Sequence, residues 1–489
     1  MSALPMRNLA PLALFFALPL SAQRVDVIPM KPSTLAELAN AQVSSAGEHR
    51  PHPRPRLAAK RAPLEAIAPH VVYAPNAVAA PPVTLGFKAS QSPLPGTTSG
   101  INPPDPSGAA GPQHVVGAFN NSVIVHDRGG KQLAAATMTQ FWHDPAVPDL
   151  LQYSPRVLYD AANDRWTIAA LAADNAEQNG VILVAFSTSG DPTGSWRRYR
   201  IPVSLDTTIS GDFLRAATTS TTIVFTTSEF AGNNLMGVDV FHLPKSTAYT
   251  ASPTVSRTHF NSLESDFTPV ASADATERFF TNAHGFLEQF QLDPTGAITN
   301  FPSYASPPGL SYEDILCDEL GSPNSIDCGM GILQYALLRD GATWVVQSAN
   351  DGTRSVVLVW KIAGGKTTTY VISDPAFDYA FPSIAVNRAG TALVGYSTFN
   401  LNIFPSAEYR TIDAAGNVSA PAAVKSGEDL YQDFYWGYYS TTVVDPVDDL
   451  SFWTLQSYST PPVNFKYLTW GTWWSYVRLG AQRPRAVRH

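Results

Sequence analysis

Asp212-Phe213, Asp266-Phe267 and Asp378-Tyr379 repeat one small pattern, a carboxylate followed by an aromatic ring just ahead of a mostly apolar run. Carboxylates brought together with tyrosines could bind a hydroxyl-rich sugar or hold Ca²⁺ through oxygen ligands. They could also supply an acid and a base whose pKa values are pushed apart by crowding. The plainer reading is that each Asp caps backbone amides at a tight turn, repeated because the module around it is repeated. Asp105, Arg156, Trp436, Tyr438 and Tyr439 occupy equivalent positions ahead of or within other apolar runs. A second group, Asn120, Asn121, Asp174, Glu229, His284, Asn350, Asp351 and Asn400, falls at the ends of the runs that follow. From these the catalytic candidates are Asp212, Asp266, Glu229, His284 and Tyr379. The ligand-binding candidates are Asp105, Arg156, Asp378, Trp436, Tyr438, Tyr439, Asn350 and Asn400. His284 stands where a general base could act, although a lone loop histidine is more often a hydrogen-bonded surface group.

These residues need elements that aim them at one place. Pro155–Trp196 shows the unit: extended runs of apolar residues cut by Asp/Asn and Gly/Pro turns, the signal of strands and hairpins. Hairpins of this kind begin at His114, Pro155, Asp212, Asp266, Met330, Phe381 and Trp436. Their spacing of roughly 40–65 residues is the range of propellers and solenoids. Each unit is long enough for a four-stranded blade, and closing the ring removes exposed sheet edges. The fold expected is therefore all-β, a seven-bladed β-propeller, with six or eight blades also compatible. Val83–Lys88 is the candidate strand from the N-terminal side to complete the last blade, beside 464–470 and 473–479. In such a ring, the loops leading to inner strands and those joining second to third strands share one face. Ligands commonly use that face because many blades converge there. The turn carboxylates Asp160, Asp164, Asp274, Asp340, Asp445, Asp448 and Asp449 belong to the opposite face, as turn formers.

A formal charge of −8 over 489 residues argues against a nucleic-acid surface. The phosphate-loop, dinucleotide and common zinc signatures are absent. Arg7 followed by the apolar stretch Leu9–Leu20 and small Ser21-Ala22 reads as an export signal over residues 1–22. That stretch is too short to span a bilayer, and no later span is found. Residues 23–82, rich in Pro and Ala with a basic patch at His49–Arg61, read as a disordered linker or pro-segment, with a short helix near Thr34–Val43. The propeller then covers 83–479, and 480–489 is a disordered basic tail. The two cysteines, Cys317 and Cys328, lie close enough in sequence to staple one loop in an oxidising compartment.

The stretch Asp105–Pro112 and the hairpins Val157–Trp166 and Val443–Trp453 resemble those of secreted bacterial β-propeller proteins, and the resemblance covers nearly everything after the linker. Ser189–Trp196 is similar to the Asp-box of sialidase-type propellers, with the glycine shifted by one and Ser195 in place of Thr. An Asp-box is a structural turn, so it implies the superfold and no particular activity. Tyr438 stands where the related Trp-Gly-x-Tyr pattern usually carries Asp.

The function expected is a secreted, monomeric recognition module that binds a glycan or an extracellular protein at a central polar funnel. The alternatives are a carbohydrate-active enzyme using funnel carboxylates, and a structural envelope or adhesion protein. Ca²⁺ is the one cofactor the residues suggest.

Overall fold

The computed structural model describes residues 22–43, 66–73, 78–95, 100–261, 267–283, 286–293, 296–313, 315–322, 325–329, 331–462 and 469–479. The signal segment apart from Ala22, the basic patch at 49–61 and the tail at 480–489 lie outside these residues, as do Asp266 and His284.

The strands form antiparallel meanders in chain order, at 107–137, 151–202, 210–260, 268–305, 333–372 and 378–425. The last sheet combines Thr441–Val444, Phe452–Ser459 and Trp470–Val477 with Val83–Ser92 from the N-terminal side. The first strands of successive meanders lie side by side, and Thr441–Val444 lies against Ser107–Ala110. The architecture is a β-propeller. Trp470–Val477 is one strand where the sequence suggested two. Its Trp473-Trp474 pair continues the pleat, and Val83–Ser92 takes the outer edge as expected.

Stacking explains the composition of the strands. Inner strands are covered on both faces, so a strand such as Ser355–Ala363 reads as a nearly continuous run of Val, Leu, Trp and Ile. The 268–305 and 333–372 meanders are also joined by a short parallel pairing of Val270-Ala271 with Ala336-Leu337. The core is correspondingly split into slabs. One slab, including Val116, Phe141, Trp166 and Trp196, lies between the 107–137 and 151–202 meanders. Another, with Leu171, Ile182, Phe225 and Phe241, lies between 151–202 and 210–260. Each fully buried Leu, Ile or Phe contributes roughly 1.5–3 kcal/mol, so stability is spread over many interfaces. The Asp-box-like turn is structural: Asp191 accepts from the Thr193 amide at 2.9 Å, and fully buried Trp196 donates to Pro192 O at 3.0 Å.

The described parts of the segment before Val83 differ from the solvated linker expected. Gln23–Val25 pairs with Val255–Phe260, and Ile28–Pro29 and Ser33–Thr34 pair with Ser195–Pro202. Thr34 then caps a short helix, Leu35–Ala39, with Glu37 completing a capping box, and Leu35 and Leu38 are buried. Further on, Ile67 bridges to Tyr304, His70–Tyr73 runs parallel to Lys366–Ile372, and Val78 bridges to Ser419. These short runs lie along the last strands of the meanders, whose unpaired edges would otherwise face solvent. Their value lies in edges that local pattern reading cannot see.

Gly108 of the 107–137 meander touches Trp474 of the last sheet, and a Cβ there would sit 2.5 Å from Trp474 Cζ2 and 3.0 Å from Val116 O. Gly108→Val is expected to destabilise the fold by about 1–3 kcal/mol through overpacking at this junction, read as a lowered urea midpoint.

Candidate functional site: the axial channel

The first strands enclose a channel of about 230 Å³, lined by every meander from Ser107 and Gly108 round to Thr441–Val444. Exposure rises along it. Ser107, Arg156, Arg215 and Thr441 at one end are buried, whereas Leu158, Thr218, Ala271, Leu337 and Val444 at the other are partly exposed. The channel is open at the hairpin-turn end and closed at the end where the ligand funnel was expected.

A repeated backbone feature builds the closed end. Among the described residues, four first strands break register. One break lies between Leu333 and Tyr335; the other three, between Tyr153 and Arg156, Asp212 and Arg215, and Ala380 and Ser383, share a further feature. Each of these three holds a residue with positive φ: Ser154 at 51°, Phe213 at 57° and Phe381 at 54°. Bulky residues in this left-handed region are strained and persist only where packing holds them. Here ring contacts do so: Phe213 lies 5.7 Å and Phe381 6.2 Å from Tyr438, both edge-on. The same apolar cluster includes Cys317, Ile326, Cys328 and Ile332, from the loop before the 333–372 meander. The disulfide Cys317–Cys328 ties that loop, and Tyr438 Oη donates to Asp327 Oδ2 at 3.1 Å. The expected polar mouth is therefore filled by aromatic rings and a disulfide-bonded loop.

Beneath the rings lies a charge-balanced network. Asp105, 3 % exposed, accepts from the Tyr438 amide at 3.0 Å and from Asn120 Nδ2 at 3.1 Å. Burial raises its pKa, opposed by those bonds and by Arg156. The Arg156 guanidinium lies 3.4 Å from the Tyr439 ring centroid and donates to Pro155 O. Arg215 donates to Leu333 O and Phe213 O, and Asp212 accepts from the Phe213 amide at 2.6 Å. Asp378 accepts from the Ser355 amide at 2.9 Å and pairs with Arg354 at 3.0 Å; burial still raises its pKa. All three described carboxylates of this set are thus turned onto backbone amides.

The remaining candidates scatter. Tyr379 is buried against Tyr396, with its pKa pushed up to about 12 by burial and by Glu408. Trp436 donates to Ser397 Oγ. Asn350 exchanges backbone bonds with Ser311, and Asn400 donates to Ala376 O. Asn121 donates to Gln91 O, while Asp174 and Asp351 cap their own turns. Glu229 sits inside a strand rather than at a loop, beside Asp239, His259 and Arg257. Burial first, then the Asp239 charge, pushes its pKa to about 8. The sequence signal missed there was a polar residue set in an apolar strand, as in Val238-Asp239-Val240. A larger crevice of about 390 Å³ lies on the rim where 78–81 crosses the 378–425 meander. Its Asp413 and Asn417 bond to each other, and it receives only part of the ring.

No family model and no curated protein sequence matches the chain. Solved structures resemble it at the level of the fold. The α-L-arabinofuranosidase Arb93A of Fusarium graminearum aligns at 13 % identity over 85 % of this chain and 96 % of its own, with a TM-score of 0.38. The GH43 endo-arabinanase of Bacillus licheniformis aligns at 12 % over 64 % and 96 %, with a TM-score of 0.31. Trypanosoma rangeli sialidase aligns at 10 % over 66 % of this chain and 54 % of the sialidase, with a TM-score of 0.34. None of these likenesses bears on the chemistry of the channel.

Asn120 Oδ1 is committed to the Ser154 amide and its Nδ2 to Asp105, so an asparagine at 105 would turn its own NH₂ toward another donor or lose the Tyr438 amide. Asp105→Asn, although nearly isosteric, is expected to cost about 1–3 kcal/mol in denaturant unfolding. Glu319, fully buried in the disulfide loop, accepts from the Tyr431 amide at 2.8 Å, and burial raises its pKa to about 7. A raised carboxyl pKa contributes stability that is complete below the unfolded value of about 4.5 and is lost as pH rises through about 7. Hydrogen exchange in Leu316–Asp327, corrected for intrinsic rate, is expected to be faster at about pH 8 than at about pH 5. Glu319→Gln is expected to remove that difference.

Proposed function

We propose that the chain is an exported, seven-bladed, closed propeller that acts as a recognition module, and that its ligand enters the axial channel from the hairpin-turn end. The observation that carries this reading is the channel itself: one bore shared by every first strand, open at one end, with the polar cluster at its other end internally paired. Its accessible wall is mostly aliphatic, with Leu158, Ala216, Ala271, Leu337, Val443 and Val444, relieved by hydroxyls at Thr218 and Tyr335. Such a lining suits an apolar side chain presented by an extracellular protein better than a sugar, which needs polar partners for each hydroxyl. The space is also smaller than the roughly 300–1,000 Å³ of pockets that enclose a drug-sized ligand.

Catalysis by the closed-end carboxylates is disfavoured, because Asp105 and Asp212 are buried and bonded to amides. The disulfide fits an oxidising compartment, and no helix among the described residues is long and apolar enough to cross a membrane.

A phage-displayed peptide library and a glycan array, each screened with the chain from residue 22 onward and with its Ala271→Trp variant, test the reading. The expected result is enrichment of peptides carrying a large apolar side chain, with binding lost at least tenfold in Ala271→Trp while the circular dichroism is unchanged. Peptide binding that survives the variant, or binding to glycans alone, would overturn it.

A further inference from the structure

A second polar cluster lies away from the axis, on the face of the 210–260 sheet that meets the 151–202 meander. Strand register assembles it. Asp239 is directly opposite Thr227 on one side and His259 on the other, and Glu229 is diagonal to Asp239 across the hairpin. Side chains at 229, 239, 257 and 259 therefore share one face. Gly237, opposite Glu229, leaves room for the imidazole: a Cβ there would come within 2.7 Å of His259 Cε1.

Three donor atoms converge. His259 Nδ1 is 3.0 Å from Asp239 Oδ1 and 3.3 Å from Glu229 Oε2, and one donor atom from each residue lies within 4.8 Å of the others. A tetrahedral ion with bonds of about 2.0–2.1 Å sets its ligands about 3.3–3.4 Å apart. The other ring nitrogen, Nε2, lies 2.9 Å from Asn261 Oδ1, the carbonyl partner that a metal-bound histidine uses to fix its tautomer. With Nε2–H donating there, Nδ1 presents a lone pair toward two carboxylates.

The charges are incompletely answered. Asp239 is fully buried and Glu229 is 4 % exposed, yet Asp239 Oδ2 and Glu229 Oε1 have no hydrogen-bond partner. Arg257 is the nearby cation, but its Nε is 3.6 Å from Asp239 and its Nη1 3.8 Å from Glu229, and Nη1 is committed to Val203 O. Arg257 stays outside hydrogen-bond reach of both acids, and His259 meets only Asp239 Oδ1 and Glu229 Oε2, so the second oxygen of each buried acid is left unanswered. His259 and Arg257 each keep 14 % of their side chains exposed, so solvent reaches one side of the cluster.

We propose that Glu229, Asp239 and His259 form a binding site for a divalent first-row transition ion, of which Zn²⁺ is the representative. The donor set of one imidazole and two carboxylates suits such ions, whereas Ca²⁺ takes six to eight oxygens that the cluster does not supply. Asn261 is the positioning residue, holding the imidazole with Nδ1 inward. The site clasps the second, third and fourth strands of one sheet, independently of the channel.

The test uses the tag-free chain from residue 22 onward, stripped with chelator and titrated calorimetrically with Zn²⁺, Mn²⁺ and Ca²⁺. One Zn²⁺ per chain is expected, with Ca²⁺ at least a hundredfold weaker. His259→Gln and Asp239→Asn are expected to abolish binding, and Asn261→Ala to weaken it about 10–100-fold. Co²⁺ substitution supplies a readout independent of folding, the expected signature being intense visible bands of low coordination that vanish in His259→Gln. Absence of stoichiometric Zn²⁺ binding, binding unchanged in His259→Gln, Ca²⁺ binding as tightly as Zn²⁺, or only the pale spectrum of hexa-aquo Co²⁺ would each overturn the assignment. Should Asp239→Asn not fold, the His259 and Asn261 variants decide the outcome.

Discussion

The ladder between Val83–Ser92 and Trp470–Val477 is the interaction on which the rest of the molecule depends. Strands such as Arg165–Ala173, Ser355–Ala363 and Ala392–Asn400 are buried on both faces, so their sheets need cover on both sides. Joining strands nearly four hundred residues apart in sequence puts the two ends of the repeating region into one sheet (the register pairs Trp470 with Ser92 and Val477 with Val83). Trp474 from one side of that ladder then packs on Gly108, which begins the next sheet. The loop entropy of such a long closure grows only logarithmically with length, whereas the apolar area covered scales with the full width of the sheets.

Stacking solves the faces of the sheets but leaves their outer edges. The N-terminal segment answers that second constraint by laying short strands along the last strands of several meanders, antiparallel at Val255–Phe260 and Ser195–Pro202 and parallel at Lys366–Ile372. An extended, Pro-containing chain is suited to the role, because proline supplies a bend and withholds a donor where no further strand should add. The composition that suggested a solvated linker is thus also the composition of an edge cover.

At the axis, the opposite ends of the channel are made in opposite ways. One is rigid: positive-φ residues, edge-on rings and paired charges over-determine one another, and the disulfide loop closes it. The other is mostly aliphatic along the bore and partly exposed, with ion pairs such as Arg128–Asp445 and Arg339–Asp449 in the surrounding turns. Bulky aromatic residues held at positive φ by ring packing thus mark the closed end, and contact with solvent along the bore falls to the other.

Strand positions, the module repeat and the closing strand were legible in the sequence because they depend on local patterns: apolar runs, Asp/Gly turns and the spacing between them. The Cys317–Cys328 bridge was legible because only one pairing exists. Which end of the channel would be open was not, since it depends on where the loop carrying Cys317 folds back and on bulges that rotate Phe213 and Phe381 onto Tyr438. Likewise Asp212 and Asp378 were visible as a repeat, but the direction of each carboxylate depends on an amide supplied by the bulge or by a neighbouring strand. Glu229, Asp239 and His259 become one cluster only through cross-strand register, which a run of residues cannot display by itself. The local code decided what each segment would be. Tertiary structure decided what each side chain would face, because burial and pairing are set by neighbours distant in sequence.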